Sequence, residues 1–332
     1  MSNFLLNDRG ELRVILMNTS DKLGVSEAIV EKDYWVSFVL GYLFHQNTRK
    51  EVFTFKGGTS LSKCFNLIDR FSEDIDLILD WRVLGYEENE PWIERSNTQQ
   101  DRFNKEINKK TEKFLKNVFL PEIDADFKRI LGSEINLFIE DENPQSILFE
   151  YPKIFQSAYL TQSITMEIGT LATWEPAIKA EIRPMIAEVY PNFYKEKIEA
   201  RTVAPKRTFW EKATILHHEA HRPKSSSMPP RYARHYYDLY KMASSPVKET
   251  ALYDRELMKK VSEFKIKFYP RRWAKYEDVI SGNIRLVPDE YRFIEIQKDY
   301  EAMKEMIYGD YPEFDELMKG IARLEKDIKE WT

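Results

Sequence analysis

Two aspartates separated by one residue lie in the segment DIDLIL, residues 74–79. In a β-strand, successive side chains point to opposite faces, so Asp74 and Asp76 share one face about 7 Å apart. Carboxylates so placed can hold divalent cations, and two cations about 3.5–4 Å apart can bridge the attacking and leaving oxygens of a phosphoryl transfer. An isolated Asp-x-Asp is more often a solvated strand face. Here apolar residues flank the pair, which indicates a core strand and favours a metal site.

A glycine-rich turn precedes these acids, in the segment KGGTSLSK, residues 56–63. Its spacing is not that of the P-loop, G-x-x-x-x-G-K-[ST]. Gly57 and Gly58 permit close backbone approach, free N–H groups at a helix N-terminus attract phosphate, and Thr59 or Ser60 can add a hydroxyl donor. The alternative is an ordinary strand–helix turn with Thr59 as the N-cap. The acids that follow directly favour phosphate binding.

A third acid for this cluster is expected from a neighbouring strand. Glu167 in the segment ITMEIG, residues 164–169, is the candidate, because Thr165, Glu167 and Gly169 alternate with apolar residues. The alternative is an exposed glutamate on a strand.

The composition is that of a globular protein, with 332 residues, 42% hydrophobic and 32% charged, and a formal net charge of −5. Residues 71–100 are acidic, whereas residues 201–242 are basic and contain four of the five histidines. If these segments converged, they would hold cations and polyphosphate. The single cysteine, Cys64, excludes an internal disulfide framework. We expect no signal peptide and no membrane span, and therefore a cytoplasmic protein.

The elements that must position these residues follow from periodicity. The pattern predicts helices over 26–45, with Ser26 as N-cap, and over 59–68. It predicts strands over 51–55, 74–79, 163–171 and 180–190. Residues 81–160 have a charged, mostly helical pattern, and residues 222–231 form a loop. We therefore predict an α/β domain over 1–200 with a helical excursion at 81–160, followed by a mainly helical domain over 201–332.

The order of strand, glycine turn, helix and Asp-x-Asp strand resembles the nucleotidyltransferase superfold that includes DNA polymerase beta. In finer detail the chain resembles the AbiEii/AbiGii nucleotidyltransferase toxins of abortive-infection and type IV toxin–antitoxin systems. Four blocks carry the resemblance: FKGGTSLSK, RFSEDIDL, RTFWEKATILHHEAHR and RYARHYYDLYKM.

The resemblance implies roles for particular residues. The first block would bind the nucleotide phosphates through Lys56, Gly57, Gly58, Thr59, Ser60 and Lys63. The second would bind Mg²⁺, with Mn²⁺ as a possible substitute, through Asp74 and Asp76, with Glu167 as the third ligand. Lys212 and Asp238 would complete the site. Lys212 would neutralise triphosphate charge or else be a solvated helix charge. Asp238 would orient Lys212, accept the proton of the attacking hydroxyl, or serve as a buried salt-bridge partner.

The segment HHEAH, residues 217–221, suggests a zinc site at first sight. The H-E-x-x-H pattern requires glutamate directly after the first histidine. Pairing His217 with His221 places a histidine there, so the base of a metalloprotease is missing and zinc is disfavoured.

The function implied is transfer of a nucleoside monophosphate from an NTP to an acceptor hydroxyl. In this family the acceptor would be RNA such as tRNA, and a cognate antitoxin would restrain the enzyme. Two alternatives remain: a small-molecule nucleotidyltransferase of the antibiotic-modifying type, and a binding module that keeps the fold without turnover.

Overall fold

The structure is a computed structural model that describes residues 8–132, 134–157, 160–192 and 197–331. The chain folds into two compact units. The first comprises Met1–Cys64 and Ser72–Thr202, and the second comprises Phe65–Phe71 and Val203–Thr332. The chain therefore leaves the first unit for seven residues and returns to it immediately before the acids.

The described part of the first unit contains a seven-stranded mixed sheet. The strands are β1 (Phe53–Lys56), β2 (Asp74–Leu79), β3 (Asn136–Ile139), β4 (Ser146–Glu150), β5 (Ile164–Gly169), β6 (Ala177–Ile182) and β7 (Ile198–Val203). Their order is β3-β4-β5-β2-β1-β7-β6. At the centre, β2 is antiparallel to β1 and parallel to β5.

The helices of the first unit are α1 (Arg9–Leu23), α2 (Glu27–Gly41), α3 (Gly57–Lys63), α4 (Asn97–Phe114), α5 (Leu120–Leu131) and α6 (Ile186–Val189). Ser26 caps α2, because its side chain accepts a hydrogen bond from the N–H of Ile29. A capping box between Ser96 and Gln99 begins α4. These caps satisfy N–H groups that have no partner within the helix.

The two faces of the sheet differ in burial. On one face the apolar residues of β2 and β5, such as Ile75, Leu77 and Met166, are fully buried in the main core. Aromatic rings from α2, α5 and β4 pack against one another in this core, with Phe127 5.1 Å from Phe38 and 5.0 Å from Phe149 between ring centroids. On the other face Asp74, Asp76 and Glu167 retain contact with solvent. The sheet therefore presents its acids on an open face.

The second unit is helical in its described residues, as its periodicity predicts. Its helices are α7 (Pro205–Ala220), α8 (Ala233–Ala243), α9 (Val247–Leu252), α10 (Arg255–Phe268), α11 (Tyr276–Ile280), α12 (Phe293–Ala302) and α13 (Phe314–Trp331). Residues 69–71 lie beside residues 306–308: the N–H of Phe71 donates to Met306 O and that of Tyr308 to Asp69 O. The segment 65–71 is thereby built into this unit.

The α/β class, the strand at 74–79, the strand within 163–171 and the loop at 222–231 are confirmed. Other boundaries were wrong. The first strand begins at Phe53, because residues 50–52 form a 3₁₀ turn, and the helix after it is 57–63 instead of 59–68. The strand expected at 180–190 ends at Ile182, since Pro184 follows and residues 186–189 are helical.

The region 81–160 is less helical than expected. It contains α4 and α5, but also β3 and β4, which form a hairpin and extend the sheet through the pairing of β4 with β5. The short runs NLFI and SILFE supply apolar residues on the face that α5 covers. Strand β7 was not predicted at all.

Candidate active site

The three predicted metal ligands lie on one face of adjacent strands. Asp76 on β2 is directly opposite Glu167 on β5, and Lys56 on β1 is opposite Asp76 on its other side. Because neighbouring strands are about 4.8 Å apart, these three side chains form a row across the sheet. Asp74 projects from the same face two residues earlier. The structure thus brings the predicted ligands together within one unit.

Gly57 lies against the carboxylate of Asp76. It adopts a left-handed conformation with φ +81°, and a Cβ added there would be 1.9 Å from Asp76 Oδ2. A Cβ there would displace this carboxylate, so glycine leaves room for the position that Asp76 has in the structure. The sequence predicts that this glycine permits the approach of phosphate, which stays a prediction. What the structure shows is that Gly57 makes room for the side chain of Asp76.

The hydroxyl groups of the turn are used inside the protein. Thr59 Oγ1 donates to Asp74 O, and Ser60 Oγ donates to Gly57 O at 2.8 Å, with both residues buried. Helix α3 begins at Gly57 with Lys56 in the N-cap position, so the alternative of Thr59 as N-cap is wrong. The first hydrogen bond joins the turn directly to the first residue of the acidic strand.

Lys63, predicted to contact phosphate, forms a buried ion pair with Asp33 on α2. The other carboxylate oxygen of Asp33 accepts the N–H of Met185 at 2.7 Å. A phosphate contact by Lys63 would require this pair to open. In this structure Lys63 fixes the end of α3 to α2.

Helix α2 carries three consecutive buried charges, Glu31, Lys32 and Asp33. The carboxylate of Glu31 accepts the N–H groups of residues 154 and 155. Lys32 Nζ donates to Glu73 at 2.6 Å and to Thr161 O at 2.5 Å. Lys32 therefore holds the residue before Asp74 and a segment just before β5. The triplet positions both acid-bearing strands.

The second group of predicted residues, Lys212 and Asp238, lies in the second unit on α7 and α8. Lys212 Nζ is 2.7 Å from Asp238 Oδ2. Arg70 binds the same carboxylate through two nitrogens, at 2.7 Å to Oδ1 and 2.8 Å to Oδ2. The side chains are almost completely buried, with exposed fractions of 4% for Arg70, 7% for Lys212 and 0% for Asp238.

These charges set the protonation of Asp238. Burial alone would raise its pKa, but Arg70 and Lys212 outweigh burial and hold the pKa of this carboxyl well below its usual value of 3.8. Burial lowers the pKa of Lys212, and Asp238 opposes that effect. A carboxylate with a low pKa and both oxygens bound to cations is a poor general base. Of the roles left open for Asp238, orientation of Lys212 fits this geometry.

The histidine cluster is explained by packing. His217 Nε2 donates to Lys275 O at 2.9 Å, and Nδ1 accepts the N–H of Arg285 at 2.9 Å. Both ring nitrogens of His217 are therefore used by the backbone, and neither is available to a metal ion. This agrees with the interpretation that HHEAH is not a zinc site.

Two features of the structure are absent from the sequence predictions: the pairing of Arg70 with Asp238, and the charged triplet of α2. Arg70 stands in the block RFSEDIDL, but nothing local indicates a partner 168 residues away. The charged triplet of α2 had a visible signal, since three consecutive charges interrupt the apolar sequence IVEKDYWVSFVL.

An acid-bearing strand beside a glycine turn, on a mixed sheet, is the arrangement expected of a nucleotidyltransferase domain. Residues 41–320 match the family described as nucleotidyl transferase AbiEii toxin, type IV TA system. The chain therefore belongs to the AbiEii family of nucleotidyltransferase toxins. No curated protein matches the sequence.

Solved structures show weaker similarity. MenT4, the nucleotidyltransferase toxin Rv2826c from Mycobacterium tuberculosis H37Rv, is 15% identical with a TM-score of 0.48, over 96% of this chain and 92% of that chain. JHP933 from Helicobacter pylori is 13% identical with a TM-score of 0.45, over 92% of this chain and 94% of that chain. Because both TM-scores are below 0.5, neither structure assigns a role to a residue of this chain.

Proposed function

We propose that the protein transfers a nucleoside monophosphate from an NTP to an acceptor hydroxyl, with a divalent cation bound by Asp74 and Asp76. The observation that carries the proposal is the row of carboxylates on the open sheet face beside the glycine turn. Family membership supports the reaction class.

Mg²⁺ fits this site, and Mn²⁺ is the alternative cation. Within the described ranges, no three His, Cys, Asp or Glu side chains enclose a metal position. Mg²⁺ usually binds through one or two carboxylates, water and substrate phosphates, so the proposal requires no complete protein cage. Asp74 and Asp76 would be the principal ligands and Glu167 the third. The cation would neutralise charge on the phosphates during transfer.

The reaction forms one bond and breaks one. The acceptor oxygen attacks the α-phosphorus, the bond from that phosphorus to the bridging oxygen breaks, and pyrophosphate leaves. The proposed role of Lys212 is to neutralise triphosphate charge, with Asp238 and Arg70 fixing the orientation of its ammonium group. The backbone at Gly57 and Gly58 would lie along the phosphates.

We further propose that the acceptor is RNA, such as tRNA, and that a cognate antitoxin restrains the enzyme. Membership of the type IV toxin–antitoxin family supports the antitoxin partner. The basic segment 201–242 gives less support to the acceptor, because most of its cations are paired with carboxylates of the chain. Across the described parts of the chain, no helix is long and apolar enough to cross a bilayer.

The test is to incubate the purified protein with each radiolabelled NTP, Mg²⁺ and total RNA, and to identify the labelled product. Asp76→Asn should reduce transfer by about 100-fold or more, which corresponds to about 3 kcal/mol of lost stabilisation. Asp124→Asn is the matched control, because Asp124 is a partly exposed residue paired with Lys128 on α5. Full labelling by folded Asp76→Asn protein would refute the metal site.

Growth separates the biological alternatives. Wild type and Asp76→Asn are induced at equal protein level, and only the wild type should arrest growth, because one catalyst modifies many acceptors. Equal arrest by both would favour a binding module. Transfer to a small molecule in vitro, without arrest or RNA labelling, would favour the antibiotic-modifying type.

A further inference from the structure

Helix α4 and the turn that follows it carry a row of basic side chains on their solvent side. The row consists of Arg102, Lys105, Lys109, Lys113 and Lys116. At 100° per residue, steps of three and four keep these positions on one side of the helix. All five are exposed. We call them the α4 basic row.

The row is long and well supported. From 102 to 116 the helix rises about 21 Å, enough for several successive phosphates of a nucleic acid strand. The opposite side of the helix is buried through Phe103, Ile107 and Thr111. Thr111 Oγ1 lies 2.7 Å from the hydroxyl of Thr170, three residues beyond Glu167, with both threonines fully buried. The helix is thereby joined to the residue that directly follows β5, the strand of Glu167.

Most of the row is not neutralised. Lys105 pairs with Asp101. In the described part of the chain, the other four have no carboxylate within ion-pair distance. Residues 97–119 contain six basic and three acidic residues, although the whole chain has a net charge of −5. A positive face on an acidic protein favours a polyanion at that place.

The exposed face of α13 shows what an ordinary solvated helix looks like in the same protein. It carries Lys319, Arg323 and Lys326 at similar spacing, but acids lie among them and Lys326 pairs with Glu330. Residues 314–331 contain five acidic and four basic residues. The charge along α13 is therefore nearly balanced, whereas residues 97–119 carry six basic and three acidic residues.

We propose that the α4 basic row binds the phosphate backbone of the RNA acceptor. The inference rests on the proposed function for the identity of the polyanion, and it adds the surface that holds it. Contacts of this kind position a nucleic acid without reading its sequence. An acidic protein segment is the other polyanion that could occupy the row, and the experiment distinguishes the two.

The experiment measures binding of a fluorescein-labelled single-stranded RNA and of deacylated tRNA by anisotropy, without NTP, in the full-length Asp76→Asn background. The test variant is R102Q/K109Q/K113Q/K116Q, which removes charge from exposed positions only. Loss of four phosphate contacts should reduce the slope of log K against log salt by about 3, at about 0.7 per contact for a single strand. Affinity at low salt should fall at least about tenfold.

The matched control is K319Q/R323Q/K326Q on α13, which should leave the slope unchanged. An equal loss in both variants, or no loss in the α4 variant, would overturn the proposal. The proposal would also be overturned if poly-L-glutamate bound as tightly as RNA and if the α4 variant lost that binding. Because binding is measured without catalysis, failure here differs from failure of the proposed function, which is tested in the wild-type background by nucleotide transfer.

Discussion

Asp76 and Asp238 are both aspartates on regular secondary structure, yet their surroundings differ in charge and in burial. Asp76 is partly exposed on the sheet, with Glu167 opposite it on one neighbouring strand and Lys56 opposite it on the other. Asp238 has no exposed surface and binds two cations of its own chain. A carboxylate that keeps contact with solvent can bind a cation from outside, whereas a buried carboxylate must be paired by the protein itself. The surroundings of Asp76 suit a ligand site, whereas those of Asp238 suit a residue that orients a neighbouring side chain.

The largest effect is expected from Asp238→Asn. It leaves Arg70 and Lys212 buried without their counter-charge, which should lower the free energy of unfolding by about 3–5 kcal/mol. Chemical denaturation of the variant measures this. Asp327→Asn is the control in the same unit: its pair with Lys248 is partly exposed and should contribute only about 0–1 kcal/mol. Similar losses of unfolding free energy in both variants would contradict the assignment of Asp238 as a buried, paired carboxylate.

Gly57→Ala tests whether the position of the Asp76 carboxylate matters for activity. The added Cβ must displace that carboxylate, so transfer should fall about 100-fold, or about 3 kcal/mol. Gly85→Ala carries the same backbone strain, with φ +85°, but its Cβ meets nothing within 4 Å. Both variants should therefore lose similar stability, about 1–3 kcal/mol, and only Gly57→Ala should lose activity beyond that. Equal transfer activities of the two variants would show that Gly57 has no role in the site.

Lys212→Ala tests the orienting role assigned to the buried cluster. It removes one cation but leaves the bidentate pair of Arg70 and Asp238. We expect the KM for NTP to rise about tenfold, roughly 1.4 kcal/mol, while RNA binding is retained. Unchanged NTP kinetics in a folded variant would return Lys212 to a purely structural role.

The burial of two histidines predicts that the stability of the protein depends on pH. Burial is the main cause that lowers the pKa of His217 and of His218 to about 4. The unfolded chain binds these protons first, so the free energy of unfolding should fall between pH 6.5 and 4, by up to about 3 kcal/mol for each histidine. His217→Gln should flatten the melting temperature in that range. Identical profiles of melting temperature against pH in the wild type and the variant would show that His217 does not cause the pH dependence.

The acidic strand could be predicted to its exact bounds because apolar residues flank Asp74 and Asp76. Glu167 was a candidate for the same reason, but its register opposite Asp76 depends on how β2 and β5 pair, which no local pattern contains. Short strands such as β7 offer too few residues for a period to be recognised. The pairing of Asp238 with Arg70 could not be predicted for a different reason. Arg70 is distant in the chain, and only the folded unit brings its guanidinium to the carboxylate.

The seven residues 65–71 make the second unit discontinuous in the gene. A polypeptide of residues 203–332 alone would contain Asp238 and Lys212 but not Arg70, and it would also lack the backbone partners of residues 306–308. The second unit therefore cannot be exchanged between relatives as one contiguous cassette. A recombination event that replaces it must also replace the sequence immediately before the strand that carries Asp74 and Asp76, so the two units are expected to be inherited together.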